Sequence, residues 1–198
     1  GVNNARRFLT EDKVDMVIGS CITAVSAAMA PVIAEGKTLQ LSAAPVGLPP
    51  RQDTWMFRLP QGFTVMAHPI VEHMKKNGVK TVGFLGYTDA YGELWLKEIT
   101  EQAKAAGINV TATERFARTD TSVTPQALKL NSANTDAILV VASGSGAAMP
   151  HKALIERGYK GKIYQTHAAA TPDLVRIGGK DVEGSYVVSG PAVVAEQL

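Results

Sequence analysis

Short β-rich runs alternate with helical runs from one end of the sequence to the other, and no other feature constrains the fold as much. Strands that each follow a helix pair in parallel, because a helical crossover returns the chain to the same end of the sheet. The runs are 14–18 (VDMVI), 38–41 (TLQL), 79–85 (VKTVGFL), 108–113, 136–142 (DAILVVA), 162–165 and 185–188 (SYVV). Several are continuously apolar, the pattern of strands covered on both faces. The expected fold class is α/β, with doubly wound, mostly parallel sheets.

Between the runs, Val25, Ala28, Met29, Val32 and Ile33 repeat at helical spacing, and Gly36 stands where a left-handed C-terminal residue is wanted. Leu96, Ile99, Ala103 and Ala106 repeat likewise and stop at Gly107. Ser122 to Pro125 supplies capping hydroxyls and a first-turn proline ahead of Ala127 and Leu130, and a further helix is expected over 146–157, ending at Gly158. Pro31 and Pro69 are expected to kink their helices or to mark their starts, since an interior proline forfeits a hydrogen bond at about 3 kcal/mol. Pro150 is expected to lie early in its helix.

Residues 43–62 carry four of the ten prolines without helical periodicity, and form the seam of the chain. Beyond them, 63–188 alternates without a break and is long enough for a complete domain. Residues 1–58 supply only two clear strands and two helices. Gly1 opens directly into helix-like sequence and reads as the interior of a longer chain.

With 45% hydrophobic and 19% charged residues the composition is globular, and a net charge of +2, scattered rather than blocked, leaves no footprint for nucleic acid or anionic lipid. Arg6-Arg7 and Lys75-Lys76 read as solvated helix faces. No stretch approaches the ~20 apolar residues of a membrane span, so direct membrane insertion is not expected. Cys21 is the single cysteine, which rules out an intrachain disulfide.

Ligands of open doubly wound sheets bind beyond the strands' carboxyl ends. The residues there are Gly19 to Thr23, Ser42 to Pro45, Gly86 to Gly92, Ser143 to Gly146 and Thr166 to Ala168. They are rich in Gly, Ser, Thr, Ala and Tyr, with Asp89 the one carboxylate, a composition suited to binding. Thr23 lies at a helix start, where free amides and the dipole favour an anion; position alone leaves open whether it grips a ligand or caps its helix. Tyr91 either projects over a ligand or packs on its own helix. His167, at a strand end, is placed to hydrogen-bond an anion.

Ser143-Gly144-Ser145-Gly146 lacks the third glycine and the distant acidic residue of a dinucleotide loop, so no cofactor is expected. His68 and His73 are five apart and do not share a helix face, and with His151 remote no metal-ligand spacing emerges. Neither a G-x-S-x-G elbow nor a base near a Ser or Cys is present, so no catalytic residue is expected. A small α/β enzyme remains the alternative of a different class, one in which replacing Cys21, Ser143 or His167 would abolish turnover.

Taken in order, several segments resemble the Leu/Ile/Val-type substrate-binding proteins of ABC transporters, which have the type I periplasmic binding fold. They are Asn4-Ala5-Arg6 and Asp12-Lys13-Val14 leading into Val17-Ile18-Gly19, Ser42-Ala43-Ala44, Asp89-x-Tyr91-Gly92, Asn134-x-Asp136-Ala137, and Gly178-Gly179 with Val182-Glu183-Gly184. The resemblance covers essentially the whole chain. It implies two lobes that close on a ligand in the cleft between them, with 1–58 part of the first lobe, 59–62 a hinge crossing, 63–188 the second lobe and 189–198 the start of a return crossing. It also implies a periplasmic or lipid-anchored extracytoplasmic protein that passes its ligand to a membrane permease, or, with the same lobes, the ligand-sensing domain of a receptor or regulator.

By the same resemblance, the ligand residues are Thr23 on a carboxylate, backbone groups of Ala44 and Pro45, and Tyr91 near the ligand's body, with Cys21, Ser143 and His167 on adjoining loops. The threonine that usually follows the second loop is replaced by Val46, and the acidic residue that grips an amino acid's ammonium by His167. An ammonium left without its carboxylate would be a buried unpaired cation, at a cost of several kcal/mol. The expected ligand is therefore a small organic acid, aromatic or otherwise, ahead of a branched-chain amino acid.

Overall fold

The computed structural model describes residues 1–193 and residue 195. They fall into two compact units, Gly1–Phe63 and Thr64–Leu198.

The first unit runs α1 (Val2–Thr10), β1 (Met16–Ile18), α2 (Thr23–Glu35), β2 (Leu39–Ser42), α3 (Pro50–Asp53) and β3 (Met56–Arg58). Its strands form a parallel sheet in the order β1-β2-β3. Val17 packs with Ala5, Met29 and Ile33, while Ala30, Ala44, Val46 and Met56 form a second cluster. Each large aliphatic side chain buried this way contributes about 1.5–3 kcal/mol. The opposite face of the sheet is different: Met16, Ile18 and Phe57 are exposed.

β3 lies inside the proline-rich seam, which the sequence reading left without regular structure. Pro50 sits in the first turn of α3, where a missing N–H costs nothing, and the chain then turns into an extended segment. Gln40 N donates to Trp55 O at 2.8 Å and Leu59 N to Ser42 O at 2.9 Å, fastening that segment to β2. Of the two expectations for Pro31, the start of a helix is excluded: it stands inside α2 on the exposed side, where water can reach the carbonyl it frees. The left-handed residue after the helix is Lys37, with φ 50°, rather than Gly36. Gly36 is small for another reason, since a Cβ there would lie 2.8 Å from Leu9 Cδ1.

The second unit runs α4 (Phe63–Lys76), β4 (Thr81–Tyr87), α5 (Ala90–Ala105), β5 (Asn109–Phe116), α6 (Thr124–Ser132), β6 (Ala137–Val141), α7 (Ser145–Glu156), β7 (Lys162–Gln165), α8 (Pro172–Gly178) and β8 (Tyr186–Val187). The sheet is parallel throughout, in the order β5-β4-β6-β7-β8. All five residues of β6 are buried, whereas the edge strand β5 alternates and buries only Phe116 fully. That alternation explains why β5 was expected to stop at residue 113. Glu114 and Arg115 interrupt its apolar character, yet the ladder to β4 continues to Phe116.

Pro69 lies within α4 on its exposed side, and Pro150 lies within α7 beyond its first turn. Asn134-x-Asp136 acquires a physical role. Asn134 turns the chain at φ 48°, and the Asp136 carboxylate accepts hydrogen bonds from Lys80 N, Thr81 N and Thr81 Oγ1 at 2.9, 2.9 and 3.0 Å. Those three donors pin the start of β4 to β6 and hold the carboxyl below its ordinary range. Beyond β8, the expected return crossing at 189–198 falls partly outside the described residues.

The strand order fixes where a ligand can bind in this unit. β4 is followed by β5 on one side and β6 lies on its other side, so the order reverses between β4 and β6, the place where open α/β sheets commonly bind ligands beyond the strands' carboxyl ends.

Candidate ligand-binding loops

In the first unit, α2 begins at Thr23 with Ile22 as its N-cap, and no side chain caps it. Thr23 is thus not the cap. Its hydroxyl donates to Pro45 O at 2.9 Å, tying the loop after β2 to the start of α2. Beneath, Ser26 Oγ donates to Ser20 O at 3.0 Å and accepts from Ser20 N at 3.0 Å, and Ser42 Oγ lies 3.1 Å from Ser26 Oγ. Ser42 Oγ also accepts from Ala44 N at 3.2 Å. The backbone groups of Ala44 and Pro45 are therefore engaged within the unit, and both residues are buried. Cys21 stands exposed on the same loop. What this half offers an anion is the uncapped first turn of α2, with N–H groups at the positive end of the helix dipole.

Val46 is buried against Ala30, Ala44 and Met56, and its carbonyl accepts from Arg58 Nε. A valine here completes an apolar cluster.

In the second unit, Asp89 caps α5, its Oδ1 accepting from Tyr91 N at 3.0 Å and Gly92 N at 3.2 Å. Gly92 permits this turn, because a Cβ would fall 1.8 Å from the Tyr87 carbonyl oxygen. Tyr91 is buried, and its hydroxyl meets Thr166 Oγ1 at 2.8 Å. Burial pushes its phenol pKa upward, against the pull of the Thr166 and Trp95 hydrogen bonds, so the hydroxyl stays protonated. Its ring packs edge-on to Trp95 at 6.5 Å and to His167 at 6.2 Å, and Trp95 lies 6.1 Å from His167. His167 opens a short 3-10 turn after β7. Burial lowers its pKa, so it is neutral near pH 7, and its Nδ1 has no hydrogen-bond partner among the described residues.

Ser143 brackets the Tyr87 hydroxyl, which accepts from Ser143 N at 3.3 Å and donates to Ser143 O at 3.4 Å. Arg118 reaches the same place from the loop after β5. Its Nε donates to Asp89 Oδ2 at 2.6 Å, its Nη1 to Ser143 Oγ at 3.2 Å, and its guanidinium carbon lies 4.0 Å from the centroid of the Tyr87 ring. Gly144 N then donates to Ala168 O at 3.2 Å, so the loops after β4, β5, β6 and β7 form one hydrogen-bonded rim.

The expected residues thus assemble in two groups. Thr23, Ala44 and Pro45 adjoin one another in the first unit, with Cys21 exposed nearby. Tyr91 and His167 are in ring contact in the second, and Ser143 joins them through the rim. Sequence reasoning missed Arg118 and Trp95. Trp95 follows Tyr91 by four residues, one helical turn, and that spacing was the available signal. Arg118 was hidden because β5 was ended at 113, which placed its strand-end loop too early. Among the described residues no group of three or more His, Cys, Asp or Glu side chains is arranged to hold a metal ion, and no helix is long and apolar enough to cross a membrane.

Comparison with known proteins agrees with this geometry. The sequence matches the family described as periplasmic binding protein over residues 1–195. Comparison with curated proteins gives no match. Among solved structures, Rp1789 of Rhodopseudomonas palustris (strain CGA009) superposes with a TM-score of 0.97 at 48% identity, over 100% of this chain and 55% of that one. An extracellular ligand-binding receptor from Rhodopseudomonas palustris HaA2 gives 0.88 at 40% identity, over 92% and 52%. The leucine binding protein LivK of Thermotoga maritima gives 0.81 at 25% identity, over 94% and 54%. The chain spans about half the length of these proteins. Parallel sheets flanked by helices and a family match across nearly every residue lead to one conclusion: the chain belongs to the periplasmic binding protein family that includes the leucine/isoleucine/valine-type proteins.

Proposed function

We propose that the chain is part of the extracytoplasmic solute-binding component of an ABC transporter, that it captures a small carboxylic acid without an α-ammonium group, and that it hands this acid to a membrane permease without chemical change. The observation that carries the ligand class is the state of the acidic groups on the second unit's rim. Asp89 is consumed by capping α5 and by Arg118, and Asp120 Oδ2 accepts Ala117 N at 2.7 Å. Where an amino-acid binder needs a carboxylate, His167 stands neutral among aromatic rings. An ammonium there would be desolvated without a counter-charge, which a binding protein avoids. In the second unit the half-buried, neutral ring of His167 suits an apolar body; in the first unit, taken by itself, the uncapped N-terminus of α2 suits a carboxylate.

Thr23 supports that carboxylate site by holding the Pro45 loop. Calorimetry on the full-length protein is expected to detect phenylacetate binding and none for leucine. Thr23→Val is expected to weaken phenylacetate about tenfold, since it orphans the buried Pro45 carbonyl, and Thr23→Ser to stay within about threefold of the parent. Tight leucine binding with none for aromatic acids would refute the reading.

A further inference from the structure

Among the described residues Arg118 is the one cation on the rim of the second unit's sheet, and it bridges the loops that follow β4 and β6, the place where doubly wound sheets commonly bind ligands. A guanidinium carries five N–H donors in a rigid plane. Here Nε serves Asp89 and Nη1 serves Ser143, and the plane is backed by the Tyr87 ring. The remaining donors have no protein partner among the described residues, and with 32% of the side chain exposed they are reachable. The group is held on three sides and open on the fourth.

Its charge is already balanced. Asp89 neutralises Arg118 at 2.6 Å, so the pair offers directed N–H groups rather than a net positive site. Such a pair favours a neutral oxygen acceptor over a second carboxylate, which would sit beside Asp89 and be repelled by it. His167, with its own unpartnered Nδ1, lies on the neighbouring loop, next to the Ala168 carbonyl that Gly144 N engages.

We infer that Arg118 is a specificity-determining ligand contact that selects acids carrying a second, neutral oxygen function, a hydroxyl or carbonyl. This rests on the acid-binding reading proposed above. On the rim, the half-buried His167 then meets the ligand's apolar body and Arg118 reads its oxygen function.

Calorimetry on the full-length protein with phenylacetate and its 2-, 3- and 4-hydroxy isomers tests it, with Arg118→Lys and Arg118→Ala alongside and thermal melting as a check on folding. In the parent protein the best-placed hydroxy isomer is expected to bind about tenfold tighter than phenylacetate. Arg118→Lys keeps a charge beside Asp89 but loses the planar fork. It should melt close to the parent and, within the variant, bring the isomers to the level of phenylacetate. Arg118→Ala should also abolish the discrimination. If the parent binds all four acids alike, or if Arg118→Lys weakens all four equally with discrimination intact, Arg118 is only a clamp between loops and the inference is wrong. If the parent binds none of the four, the acid-binding reading fails first and takes this inference with it.

Discussion

Trp95→Ala is expected to destabilise the second unit by about 3–5 kcal/mol, the range for deleting a large aromatic side chain from a close-packed interior. Trp95 is completely buried and is the largest side chain so enclosed. It lies on α5 one turn beyond Tyr91 and packs against both Tyr91 and His167. Removing the indole therefore opens a cavity beneath the rings of the candidate site as well as in the core. Collapse into that cavity is resisted, because Tyr91 is tied to Thr166 and the start of α5 is fixed by Asp89. Urea unfolding followed by circular dichroism measures the loss. Trp95→Phe, which keeps an aromatic body, should lose clearly less. A loss below about 1 kcal/mol for the alanine variant would mean that α5 is not anchored as described.

The second large effect is a fall in stability on mild acidification, set by His151. This residue is almost wholly buried in α7, and burial lowers its pKa to about 4 from an ordinary 6.5. Gln165 Nε2 lies 3.3 Å from its Nδ1 and also donates to Ala147 O at 3.3 Å, which fixes the amide's orientation. Protonating Nδ1 would set donor against donor. Between pH 6.5 and about 4 the unfolded chain carries this proton and the folded chain does not, so unfolding takes up a proton and acid favours it. The stabilisation is intact above pH 6.5 and declines as pH falls toward 4, a loss of about 2–3 kcal/mol. His167, also lowered by burial, acts in the same direction. Denaturant unfolding at pH 7 and pH 4.5 should reveal the slope, and His151→Gln should flatten it even if that variant is less stable at pH 7. An unchanged slope in His151→Gln would show that another group governs acid sensitivity.

The sequence disclosed the second unit more fully than the first because the two sheets differ in how they announce themselves. β6 is buried along its whole length and reads as an unbroken apolar run, so its ends were placed within a residue. β3 is three residues long and follows Pro49-Pro50, and nothing local distinguishes it from a loop; its pairing with β2 is what makes it a strand. For the loops, types were legible and partners were not. Thr23 stood out by position, yet that its hydroxyl is given to Pro45, 22 residues away, is a tertiary fact. Arg118 illustrates the same limit. A single arginine in a polar stretch gives no signal until β5 is seen to reach Phe116 and to bring it beside Asp89 and Ser143.

The functional account comes down to what the protein carries. Mass spectrometry of the small molecule released by denaturing freshly purified full-length protein tests this most directly. The account predicts an organic acid with no α-amino group. Release of leucine, isoleucine or valine, or of a nucleotide, would contradict it.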